Sequence, residues 1–185
     1  MKTKKLFVSL LYLGFIVWFG ASFSRTIIAF DLFEPFSPDM LLKAGYTSYI
    51  LFHSVYLYMT VSLYSYIGYF VFIVSGIVLF FGSKSNFKKR GWLFIAVALV
   101  LLAFPYEVFK AYWDAKLGYA MFFRGLTEFY STTVQDCFLD IYRNPYYSLW
   151  ASLSFLANLT AFLFCIWKPL DLEKSEKKLD ETEIV

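Results

Sequence analysis

The chain has 185 residues, of which 59% are hydrophobic and 17% charged, with a net charge of +3. Soluble proteins carry roughly 45–50% apolar and about 25% charged residues, so this composition excludes an ordinary water-soluble domain and points to lipid as the solvent for the excess apolar surface. The small, scattered positive charge excludes a nucleic-acid partner. With one histidine and two cysteines outside any CxxC or Cys/His cluster, the sequence implies no metal site and no cofactor.

The first element runs from about Leu6 to Phe23. Its basic start, apolar run and small residues at Ala21 and Ser22 imitate a secretory leader, but it is expected to stay as a signal anchor and first span. No breaker precedes Pro35, so the helix can extend toward Phe30. The second apolar stretch, Gly45 to Gly82, is too long for one crossing, because 38 residues of helix measure about 57 Å. It cannot turn back on itself, since residues 46–67 contain neither Gly nor Pro. The bilayer is therefore expected around residues 61–82, with the earlier part projecting outward. The third span is expected over residues 91–113, kinked at Pro105. The fourth is expected over residues 146–167, stopped by Lys168-Pro169.

Residues 1–168 thus form the membrane domain and 169–185 a charged tail of alternating sign. Eleven Lys and Arg residues flank one side of these spans and six the other. The richer side, with the turn SKSNFKKR, is expected to be cytoplasmic together with both termini. A bacterial inner (plasma) membrane is the expected residence. Between spans three and four, apolar positions from Tyr119 to Ile141 recur every three or four residues, an amphipathic helix pattern. The expected fold is an all-α integral membrane protein. It is a four-transmembrane-helix bundle with a long second helix and an extra amphipathic extracytoplasmic helix.

Two groups could carry chemistry. Tyr46, Tyr49, His53, Tyr56, Thr60 and Tyr64 are spaced to share one helical face. They could line a ligand pocket or a proton path with His53 as the titrating group; the plainer reading is an interfacial belt of tyrosines. Arg25, Asp31, Glu34, Glu107 and Lys110 gather near the outer membrane boundary. Arg25 could pair with Glu107 or Asp31, and Glu107 with Lys110, either as a structural cluster or as a polar cavity for a small ligand or lipid headgroup. Asn158, with Ser152, Ser154 and Thr160, is read as an interhelical hydrogen-bonding position. Gly14, Gly20, Gly68 and Gly76 are read as close-packing positions that do not form GxxxG.

No GxSxG, HExxH, GxGxxG or Walker sequence is present. The sequence therefore favours a non-catalytic multi-pass protein. It would act as a subunit of a membrane assembly, or bind a small or lipidic ligand at its extracytoplasmic face. Its partners would be membrane lipids and either other membrane subunits or further copies of itself. The alternatives are a homo-oligomeric pore or proton-coupled transporter using the Tyr/His ladder, and an enzyme acting on outer-leaflet lipid through Glu107, His53 or Asp31.

Overall fold

The computed structural model describes residues 2–32, 34, 43, 45–82, 91–123, 142 and 144–168. The expected charged tail, the basic turn between the second and third spans, and residues 124–141 of the expected amphipathic helix lie outside these. Four helices carry the described chain: α1 (Lys2–Asp31), α2 (Ser48–Gly82), α3 (Gly91–Phe123) and α4 (Pro145–Trp167). All four are long and apolar enough to cross a membrane. The chain is therefore an all-α integral membrane protein, consistent with a four-helix bundle.

Local chemistry sets the helix ends. α2 follows Thr47, whose side-chain oxygen accepts the N–H of Ile50 at 3.4 Å and whose carbonyl accepts that of Leu51 at 3.1 Å, an N-cap arrangement. Pro145 opens α4, where its missing N–H costs nothing. Asn144 caps that helix through its side-chain oxygen, 3.0 Å from the N–H of Tyr146. α4 closes at Lys168, which takes a left-handed φ of 47° while its N–H reaches the Phe164 carbonyl at 3.0 Å.

At 1.5 Å per residue α1, α2 and α3 measure about 45, 52 and 50 Å, against roughly 30 Å of hydrocarbon. The long second helix is present as one uninterrupted rod of 35 residues. α3 passes through Pro105 and does not stop near Trp113. Residues 114–123, expected to begin a separate outer helix, continue it instead. The helix can go on because Asp114, which reads as a span terminator, is neutralised by an arginine, and because Gly118, the glycine within this stretch, packs against Met59.

The contacts divide the chain into two compact units: residues 1–79 with 109–148, and residues 80–108 with 149–185. In the first unit α1 and α2 run antiparallel. Gly14 and Gly68 make their crossing a backbone-to-backbone contact. A Cβ on Gly14 would come within 2.6 Å of the Phe72 nitrogen, and one on Gly68 within 2.5 Å of the Trp18 nitrogen. Trp18 and Phe15 seal the crossing against Tyr69 and Phe72. Toward the α1–α2 connection lies an apolar core of Ala29, Leu32, Val55, Tyr58, Leu117 and Met121. This core knits the parts of α1, α2 and α3 that exceed one bilayer thickness. In the second unit the early half of α3 buries Trp92, Ala96 and Ala103, and α4 buries Ala157, Ala161 and Phe162. Small side chains of this kind let membrane helices approach closely where lipid offers no hydrophobic drive to associate.

Candidate functional site

A charged group near hydrocarbon must be paired or hydrated, and α1 carries one at Arg25. Its side chain faces α2 and α3, where its guanidinium meets Asp114 of α3 at 2.8 Å. Two tyrosines of α2 complete the arrangement. Tyr58 receives Arg25 Nη2 at 2.5 Å and donates to Asp114 Oδ1 at 3.1 Å. Tyr66 receives Arg25 Nη1 at 3.1 Å and donates to Asp114 Oδ2. A third phenol, Tyr142, donates to Tyr58 at 3.0 Å.

Tyr58 therefore uses its one donor and both acceptor positions, all that a phenol has. Arg25 also lies over the Tyr58 ring, 5.0 Å from its centroid. The knot is neutral, hydrogen-bonded throughout and almost wholly buried, with Arg25 and Asp114 side chains only 4% and 2% exposed. Tyr142 lies beyond the spanning helices. Burial pushes its phenol above the ordinary value, against the pull of the Arg25 charge. Lys110 adds a second cation, its ammonium 5.9 Å from the Tyr66 ring centroid.

The knot ties three helices and the segment at Tyr142 together at one level. On the Lys5 side of it, Ser22 and Ser65 share a hydrogen bond of 2.8 Å. Beyond them comes the Gly14–Gly68 contact, which leaves no room for water between the two backbones. This close contact interrupts the polar seam between α1 and α2 at that level.

The expected site residues are distributed otherwise. Arg25 pairs with Asp114, and neither Asp31 nor Glu107 is its partner. Asp31 sits six residues on, about 240° round the helix from Arg25, and is exposed. It accepts Lys43 at 2.6 Å and the Tyr46 hydroxyl at 2.8 Å. The half-buried Lys43 donates to Asp31, and that hydrogen bond raises its pKa above the ordinary lysine value. A backbone bond of 3.1 Å from the Lys43 N–H to the Leu32 carbonyl closes the same junction. Glu34 is half-buried. Glu107, in the second unit, is buried and accepts a hydrogen bond from Ser154 at 3.1 Å. Asn158, also buried, donates to the Ser154 carbonyl at 3.1 Å.

The six ladder residues divide. Tyr49, His53, Tyr56 and Tyr64 do share one face of α2, and that face points away from the chain's own core. Thr60 is half-buried and returns its hydroxyl to the Tyr56 carbonyl at 2.9 Å. Tyr46 precedes the helix and turns to Asp31.

The inward face of α2 carries Val55, Tyr58, Ser62, Ser65, Gly68, Phe72 and Ser75, all buried. The signal for it was the small residues, since membrane helices pack on their small side chains. Tyr58, Tyr66, Asp114 and Tyr142 were the residues missed. Comparison of the chain with protein-family models, with curated proteins and with solved structures finds no match.

Proposed function

We propose that the chain is a non-catalytic subunit of a membrane assembly. Four spans anchor it, and the outward face of α2 near the α1–α2 connection is where it meets its partner. One observation carries this reading: Tyr49, His53, Tyr56 and Tyr64 face outward from their own core, with Tyr49 77% exposed. Tyrosine is enriched at protein interfaces and among their hot spots. The face is also held in shape, because Tyr56 rests edge-on against Phe122 of α3 at 5.8 Å.

The buried charges support the same reading. Arg25 and Asp114 are consumed by each other and by tyrosines, an arrangement suited to holding helices together. The excess of Lys and Arg on one side supports a reading with the termini in the cytoplasm of a bacterial inner membrane and this face on the outer side.

Native mass spectrometry of the protein released gently from its own membrane tests the proposal. A heteromeric complex is expected, with photo-crosslinkers at Tyr49 and Tyr56 capturing the partner. A chain that runs as a bare monomer, with no crosslinked partner, overturns it. The exposure of the ladder also favours a second reading, in which copies of this chain turn the ladder toward a shared lumen. A homo-oligomer that conducts in sealed liposomes would select that reading over the first.

A further inference from the structure

We infer that Lys116, seated on Trp113, forms a binding site for the phosphate of an anionic membrane lipid. The site is separate from the outward face of α2 and does not rest on the function proposed above.

The level in the membrane comes first. Some 30 Å of hydrocarbon, counted up α1 from Lys5 at 1.5 Å per residue, ends at Arg25. Arg25 meets Asp114 at 2.8 Å, so the hydrocarbon boundary crosses α3 at Asp114. Trp113, the preceding residue, stands at the depth where tryptophan anchors membrane helices. Lys116 lies less than one turn farther out, about 4.5 Å, which is the depth of lipid phosphates.

The chemistry comes second. Phe109, Tyr112, Trp113 and Lys116 follow the i, i+3, i+4, i+7 spacing of one helical face. Tyr147, at the start of α4, stacks on Phe109 with centroids 4.9 Å apart, and Phe109 meets Trp113 edge-on at 6.1 Å. These rings make a rigid platform. The Lys116 ammonium lies 4.8 Å from the Trp113 ring, a cation–π seat that holds it without neutralising it.

The exposed Lys116 has no carboxylate partner among the described residues. Tyr112, 63% exposed, brings a phenol to the same face. An oriented, unneutralised ammonium beside a phenol, at phosphate depth and flanked by acyl-chain-compatible rings, matches a phospholipid headgroup. The excess positive charge selects an anionic one.

The test is native mass spectrometry of the full chain, reconstituted with equal amounts of phosphatidylglycerol and phosphatidylcholine and then released. One phosphatidylglycerol per chain is expected to survive in preference to phosphatidylcholine. Lys116→Gln should lower that occupancy about fivefold, the factor one basic residue contributes at an anionic surface, and Lys116→Arg should retain it. The wild type gives an independent reading, since its retained lipid should fall as NaCl shortens the screening length. Equal retention of the two lipids, occupancy unchanged in Lys116→Gln, or retention indifferent to salt would each overturn the inference.

Discussion

Arg25 on α1 and Asp114 on α3 meet at 2.8 Å with both side chains nearly excluded from solvent. Tyr58 and Tyr66 of α2 bridge the same two groups from either side. A buried pair of this kind is expensive to half-remove, because the survivor is left as an uncompensated charge, at about 3–5 kcal/mol. Arg25→Met and Asp114→Leu should each destabilise the protein by about that amount in detergent unfolding. The double variant should recover much of the loss, since apolar replacements of a buried pair are often neutral. Additive losses in the double-variant cycle would show that the two groups are not coupled.

The phenols can be separated from the charges. Tyr58→Phe removes the donor to Asp114 Oδ1 and the acceptors for Arg25 and Tyr142 while keeping the ring. The expected loss is about 1–3 kcal/mol, the cost of leaving buried polar groups unsatisfied. Tyr64→Phe, on the outward face of the same helix, should leave unfolding of the isolated chain unchanged. Equal effects from the two variants would contradict the assignment of inward and outward faces.

The α1–α2 crossing makes its own prediction. A methyl at Gly14 or Gly68 would meet backbone atoms of the neighbouring helix at 2.6 Å and 2.5 Å, whereas one at Gly20 would meet nothing within 4 Å. Backbone cannot step aside as a side chain does. Gly14→Ala and Gly68→Ala should therefore cost about 1–3 kcal/mol of overpacking strain, with Gly20→Ala near neutral. Thermal unfolding of the three variants in one detergent reads the difference directly.

These contrasts show what the sequence could and could not disclose. Four apolar segments and the unbroken length of α2 were legible, because membrane crossing is a matter of length and hydropathy. That Tyr49, His53, Tyr56 and Tyr64 share a face was legible too, because helical spacing is fixed. Which face turns inward was not, since in lipid the buried side is marked by Ser62, Ser65 and Gly68 and not by the most conspicuous residues. Asp114 was hidden by its position: a carboxylate at the end of an apolar run reads as the end of a span until its arginine is known. That arginine lies 89 positions away, and no local rule joins them.

The junction between α1 and α2 should respond to pH in one direction. Asp31 raises the Lys43 pKa above the ordinary lysine value. A group whose folded pKa is raised contributes stability below its unfolded pKa and loses it as pH rises through the folded one. Closure should therefore hold through neutral pH and fade above about pH 10. Spin labels at Glu34 and Gly45 should give a narrow distance distribution at neutral pH that broadens in the alkaline range. Lys43→Gln should be broad at every pH. A wild-type distribution indifferent to alkaline pH would mean that the Leu32–Lys43 backbone bond holds the junction alone.

Partner binding should be separable from folding on the outward face of α2. Tyr49, His53 and Tyr56 are exposed, so truncating them removes little packing from the chain's own core. Substitutions at exposed positions away from special features usually shift stability by less than about 0.5 kcal/mol. His53→Ala and Tyr49→Ala should therefore leave the unfolding midpoint of the purified chain in place. At an interface the same truncations strike the residue types that dominate binding, at about 2 kcal/mol or more for a central hot spot. This corresponds to roughly a thirtyfold weaker complex. The measurement is the fraction of chain co-purifying with its partner, set against the midpoint of the chain alone. A loss of complex with the midpoint unchanged places the partner on this face. Loss of both would mean that the ladder serves the fold, and loss of neither would send the search for the partner to another surface.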